Sequence, residues 1–375
     1  MGLPEPAGPL LLSLTAVPIS YMVNSMSAVS DPFVVAGIGV LVLLSLLVVL
    51  FFFAQRNPPK DPLFYVFAIF SFTSVIDLII WMEEDGYISG FMEFYMKEGE
   101  PYLRTAHGML ICLWDGTAHY LLYLIMLGAI GREKSYKTVG LYWLGSLLMS
   151  MLVFLPGNVL GKYGTEVRPA FILNVPYLFL PIWAGVRIFE EKHSFTKMPA
   201  EKVTLAQNEG IFQRPVDIAL IFYLLGALIF TVFRGLLALD CPADLCFTYI
   251  YQYEPYIRDP VAYPKVQMLV NMFYLLPFLC MFIYGLLVPG CTWMLDWTVV
   301  FAGAMAQAQF VHIGSSIYHR TPYTYRVPRE SWWEFMILNV LYTLGMQLLA
   351  FRCIQNPAYF LKGSKQTVEE GKKHN

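Results

Sequence analysis

Ten apolar runs, each long enough to cross ~30 Å of hydrocarbon as a helix rising 1.5 Å per residue, constrain this chain most. They fall at 9–28, 33–54, 63–82, 107–130, 139–156, 170–189, 216–239, 266–288, 298–318 and 332–351. Backbone groups inside hydrocarbon must be satisfied within the segment, so runs of this kind are helices. The composition agrees. Of 375 residues, 57% are hydrophobic and only 14% charged, against about 25% charged in soluble domains. The expected fold is therefore all-α, a polytopic membrane protein of about ten transmembrane helices. The first run lacks the basic start of a secretory leader and reads as a retained helix. The fifth is short, and the ninth carries Gln307, Gln309 and His312. A net charge of −2 without a basic stripe argues against nucleic acid as a partner.

The chain is written twice. Glu100-Pro101-Tyr102-Leu103-Arg104 returns as Glu254-Pro255-Tyr256-Ile257-Arg258, and an apolar run follows each copy. Ile172-Leu173-Asn174-Val175 returns as Ile337-Leu338-Asn339-Val340, and Asp61 and Asp217 each open a run. The expected organisation has two N-terminal helices in 1–56, a first four-helix module in 61–189 and a second in 216–351. A polar linker, 190–215, joins the modules, and 352–375 is a tail. With an even number of spans in each module, the repeats are parallel.

Basic residues set the orientation. Arg56 and Lys60, Arg132 and Lys134, Lys202 and Arg214, and the lysines of the tail all fall on one side, which is the cytosolic side. The loop with Arg320, Arg326 and Arg329 is the exception. Loops 83–106 and 240–265 then face the lumen. There Cys241 and Cys246 either close a small disulfide, as an oxidising compartment favours, or remain two thiols; zinc would need more ligands than two cysteines supply. Lys372 and Lys373, third and fourth from the end, form a dilysine pattern of the kind read by retrieval coats on cytosolic tails.

Ionisable residues within apolar spans are costly, by roughly 2.5–3.5 kcal/mol for a central Asp on insertion scales, and need a reason. Asp77, His107, Asp115, His119 and Arg234 are such residues. Arg234 calls for an anion, with Asp115 or a lipid phosphate as candidates. The 16% aromatic content suits interfacial belts as well as pockets for rigid apolar ligands.

Asp61-Pro62-Leu63-Phe64-Tyr65, the Lys97–Tyr120 stretch, Pro156-Gly157-Asn158, Arg234-Gly235-Leu236 and Ala262-Tyr263-Pro264-Lys265 together resemble the transmembrane 6 superfamily, its member 2 branch more than its member 1 branch. The resemblance covers nearly the whole chain. It implies two EXPERA modules, the four-helix unit shared with the emopamil-binding sterol isomerase and the sigma-2 receptor. It also implies residence in the endoplasmic reticulum and the ER-Golgi intermediate compartment. The implied role is lipid metabolism: lipidation and secretion of triglyceride-rich lipoprotein, control of lipid droplet content, and partnership with the machinery of apolipoprotein B-containing particles.

Carried over residue by residue, the resemblance implies a lipid-binding set of Thr73, Asp77, Glu100, Asp115, Asn174 and Tyr177, with Arg234 and Asn339 from the second copy. Thr73 stands where the isomerase has its histidine, and the second copy has Asn271 where the first has Asp115. Three readings follow. The first is a lipid- or sterol-binding or transfer protein with no cofactor and no metal. The second is a sterol Δ8-Δ7 isomerase-like enzyme using Asp77, Asp115 and His107, for which the loss of the histidine is the obstacle. The third is a scaffold whose buried charges hold helices together.

Overall fold

A computed structural model describes residues 7–26, 31–55, 58–191 and 198–362, and every regular element among them is helical. Helices α1 (Ala7–Leu14), α2 (Ala16–Asn24) and α3 (Pro32–Ala54) form the N-terminal group. The first half continues with α4 (Leu63–Glu84), α5 (Ala106–Trp114), a π-helical turn (Asp115–His119), α6 (Tyr120–Gly131), α7 (Lys137–Leu160) and α8 (Pro176–Glu190). After α9 (Ala200–Asn208) the second half runs α10 (Pro215–Ala238), α11 (Asp244–Gln252), α12 (Tyr263–Val270), a second π-helical turn (Asn271–Leu275), α13 (Leu276–Leu287), α14 (Met294–Ile317) and α15 (Trp332–Gln355).

Among the described residues, eight segments are long and apolar enough to cross a membrane: α3, α4, α5 through α6, α7, α8 with the turn before it, α10, α12 through α13, and α15 with the turns before it. The chain is thus a polytopic membrane protein. Two expected runs depart from the pattern. The first is two short helices broken at Thr15. Pro18, three residues on, has no N–H to give, and its ring would meet the carbonyl of Leu14 in a continuous helix. The ninth, α14, is 24 residues long with 17 of them buried, and its polar side chains keep it inside the protein rather than against lipid. The fifth run, expected at 139–156, is a full 24-residue helix that includes Pro156.

Local chemistry sets the helix starts. Asp31 caps α3 by accepting from Phe33 N at 2.7 Å, with Pro32 in the first turn, and Thr105 accepts from Gly108 N at 3.0 Å to start α5. Each Glu-Pro-Tyr motif forms one 3-10 turn, Pro101–Arg104 and Pro255–Arg258. The π-helical turns Asp115–His119 and Asn271–Leu275 sit at matching points of the two halves, and a further one, Tyr95–Gly99, lies in the 83–106 loop.

Helices α7 and α14 form the central crossing. A Cβ placed on Gly145 would land on the carbonyl of Val300, and one on Gly303 would land on that of Tyr142. Only glycine at both points lets the backbones approach this closely.

The loops sort into two ends. At one end Arg320 pairs with Glu84 at 3.3 Å and Asp85 at 3.5 Å, and Arg168 pairs with Glu98 at 3.0 Å. At the other, Lys60 meets Glu133 at 2.7 Å, Arg187 meets Asp61 at 3.6 Å, and Gln207 of α9 donates to Leu361 O at 2.6 Å. The arginine loop that breaks the charge rule is therefore beside the acidic 83–106 loop, where Glu84 and Asp85 offset Arg320. Cys241 and Cys246 are joined as a disulfide at the foot of α11. The 190–215 stretch carries a helix, α9, docked on the Pro357–Phe360 turn. Arg56, Lys192, Lys197, Lys372 and Lys373 lie outside the described residues.

Candidate functional site

A cavity of about 180 Å³ lies inside the first half. Thr73, Asp77, Glu100, Asp115, Asn174 and Tyr177 all line it, brought together from α4, the 83–106 loop, the first π-helical turn, the 169–174 turn and α8. Thr73 and Asp77, four residues apart, share one face of α4. Most of the remaining lining is aliphatic or aromatic, from Phe72, Ile76, Leu147, Met151 and Phe154.

The N-terminal helices close the cavity. Ile19, Ser20 and Val23 of α2 and Val35, Ile38, Gly39, Val42 and Leu43 of α3 form one wall. Apart from Ser45, α3 holds no polar residue, and no periodic stripe marks it as a wall in the sequence.

Polar groups are held at two levels. At the loop end, Glu100 is buried and accepts from Tyr95 at 2.6 Å, and also from Tyr102 and Asn174. Burial pushes the Glu100 carboxyl above its ordinary pKa, against the pull of those three hydrogen bonds. Burial, and then the neighbouring Glu100, push the Tyr95 phenol up as well. Deeper in, the Tyr177 hydroxyl donates to Thr73, and its ring stacks on Phe70 with centroids 4.5 Å apart. The Thr73 hydroxyl itself donates to Phe70 O at 3.0 Å.

Asp115 accepts from Ser74 at 2.9 Å and stands 2.5 Å from His119 Nδ1. The other ring nitrogen of His119 is 2.7 Å from Ser146 Oγ, to which Trp114 Nε1 donates at 2.9 Å. A buried chain of hydrogen bonds thus runs from Trp114 through Ser146 and His119 to a carboxylate on the cavity wall. His119 was the missing partner in the sequence, although the Asp115-x-x-x-His119 spacing could have shown it. Asp77 meets the Cys112 thiol at 3.6 Å and also lies within hydrogen-bonding reach of the Asp115 carboxyl, so the two acids sit side by side on the cavity wall.

Two sequence candidates lie elsewhere. His107 stacks on Tyr263 at 4.2 Å and does not line the cavity, so the role of acid or base alongside Asp77 does not fall to it. Arg234 pairs with Glu254, through Nε at 3.0 Å and again through Nη2, and donates to Asn339. Asp115 is not its partner, and no phosphate is needed to neutralise it. Glu254 belongs to the repeated motif, which is why the motif placed an acid within reach. Arg234 outweighs the burial that would raise the Glu254 carboxyl and holds it well below the usual range. Neither Arg234 nor Asn339 lines the first cavity.

A helical membrane bundle with an intramembrane cavity, apolar in its walls and polar at fixed points, defines the class. The family described as Transmembrane 6 superfamily member 2-like, transmembrane domain, matches residues 15–199. Transmembrane 6 superfamily member 2 of Homo sapiens is 57% identical over 96% of this chain and 96% of its own length. The protein of the same name from Mus musculus is 56% identical over 96% of both chains. The chain belongs to the transmembrane 6 superfamily, member 2 family. No solved structure matches it.

Proposed function

We propose that this protein binds lipid in the first-half cavity and moves or presents it within the endoplasmic reticulum membrane, in the service of lipidating and secreting triglyceride-rich lipoprotein and of controlling lipid droplets. One observation carries the reading: Thr73, Asp77, Glu100, Asp115, Asn174 and Tyr177, from five segments, meet on a cavity whose other walls are mostly apolar. Such a site recognises an apolar body with one or two polar groups, as a sterol or glycerolipid has. A cavity of about 150 Å³ holds a benzene-sized molecule, so about 180 Å³ takes one end of a lipid. The rest extends past the α3 wall into the bilayer. Retrieval by coat proteins at Lys372 and Lys373 belongs to the same proposal, as do the partners that load lipoprotein.

A second reading, a sterol isomerase-like enzyme, is favoured by the Asp115–His119 pair, which could hand a proton to the cavity. Its weak point is Thr73, a hydroxyl already engaged with Phe70 O and Tyr177. Incubating purified protein with Δ8-sterol decides between them. The lipid-binding reading expects bound sterol and no Δ7 product. Turnover that is lost in Asp77→Ala would establish the enzyme instead.

A further inference from the structure

The second half repeats the positions that line the first cavity, with different side chains at them. The crossing of α7 and α14 fixes the correspondence, because adding 158 carries Gly145 to Gly303 and Tyr142 to Val300, the two reciprocal contacts of that crossing. The same shift carries Thr73, hydrogen-bonded to Tyr177, to Thr231, hydrogen-bonded to Tyr342. It then carries three apolar lining residues of the first cavity, Ile76, Met151 and Phe154, to Arg234, Gln309 and His312. The two matching π-helical turns, Asp115–His119 and Asn271–Leu275, likewise set Asn271 against Asp115.

These four replacements are all buried, with 0–1% exposure. Among the described residues, each keeps polar atoms without a partner: Arg234 Nη1, both amide atoms of Asn271, both of Gln309, and His312 Nδ1. Each unpaired buried polar group costs the protein the desolvation of that group. Several of them together would consume much of the marginal stability of a folded chain. The free atoms include donors (the guanidinium nitrogen and the amide nitrogens) and acceptors (the amide oxygens). The charge of Arg234 is already balanced by Glu254. What satisfies such a set is small, neutral, and able both to donate and to accept. A hydrocarbon chain would leave every one of these groups unpaired.

We propose that the second half holds a separate polar site, at the position equivalent to the lipid cavity, that binds water and water-sized hydrogen-bonding molecules and excludes lipid. The duplication has thus produced two sites of opposite polarity in one chain. The site stands whether or not the first cavity takes lipid, because the unpaired buried atoms that require a polar occupant all belong to the second half.

X-ray radiolytic footprinting of the full chain in nanodiscs tests it, since hydroxyl radicals formed from bound water mark the side chains beside it even when bulk solvent is shut out. His312 should be modified severalfold faster, after correction for intrinsic reactivity, than Phe67, which is equally buried in the first half and has no polar side-chain atom. Gln309→Met, which restores the first-half residue, should slow marking at His312; Asn271→Leu serves the same purpose if that variant folds poorly. A His312 rate no higher than that of Phe67 would overturn the proposal, as would a rate unchanged in a folded variant. A photoactivatable sterol that labels the peptide carrying Gln309 and His312 would overturn it too.

Discussion

Glu100 and Glu254 hold the same place in the repeated motif and meet opposite surroundings. Glu100 is buried among hydroxyls and an amide, with its carboxyl raised, so its proton is bound more tightly in the folded state than in the unfolded one. Its ionisation therefore costs stability as pH climbs from the unfolded value, about 4.3, through the raised one. Glu254 is depressed by Arg234, so its contribution is complete above the unfolded value and is lost as pH falls through the depressed one. Thermal unfolding in detergent from about pH 4 to about pH 8 should separate the two. Glu100→Gln should gain on the wild type as pH rises. Glu254→Gln should be destabilised by about 3–5 kcal/mol, the usual cost of stranding one partner of a buried pair, by a nearly constant amount across this window, because the depressed carboxyl protonates only below it. Parallel pH profiles for the two variants would contradict this assignment. At this scale the sequence was informative where charge stood out against apolar neighbours, as at Asp77 and Asp115. It misled at Arg234, whose partner lay 20 residues away in a loop rather than on a neighbouring span.

Among the elements, α7 and α14 carry the most demanding contact. Gly145→Ala or Gly303→Ala would force a methyl group onto a facing carbonyl, and each should lower stability by about 1–3 kcal/mol, the range for overpacking. A melting temperature unchanged in both would refute so close a crossing. Helix α3 gives a different test. A Cβ at Gly39 would lie 2.7 Å from Leu173 Cδ1, and Leu173 itself lines the cavity. Gly39→Leu should push Leu173 inward and reduce lipid uptake in a protein that still folds, as read by bound lipid per chain and the melting temperature together. Full lipid uptake would show that α3 is not the wall. The helices were legible because hydrocarbon permits little else for apolar runs of this length. The break at Thr15 and the burial of α14 were less so, because hydropathy alone does not say which side of a helix meets protein.

For the whole molecule, the pairing of Arg320 with Glu84 and Asp85 places loops 83–106 and 319–331 at one end of the bundle. A glycan acceptor inserted in either loop should be modified, and one inserted in 198–208 should not. Modification within 198–208 would invert or break this arrangement. The repeat itself could be read from Glu-Pro-Tyr and Ile-Leu-Asn, but the divergence of its two interiors could not. That divergence depends on which faces of α7 and α14 turn toward each half, and only the crossing at Gly145 and Gly303 fixes them.

Native mass spectrometry of the purified chain tests the central claim most directly. The wild type should carry one sterol or glycerolipid molecule. Asp77→Ala and Tyr177→Phe should lose most of it while still folding cooperatively, because the Asp77 carboxyl lines the cavity beside Asp115 and Cys112 and Tyr177→Phe keeps the ring stacked on Phe70. Equal lipid occupancy in the wild type and both variants, or variants that unfold without any change in lipid per folded chain, would contradict lipid binding at this cavity.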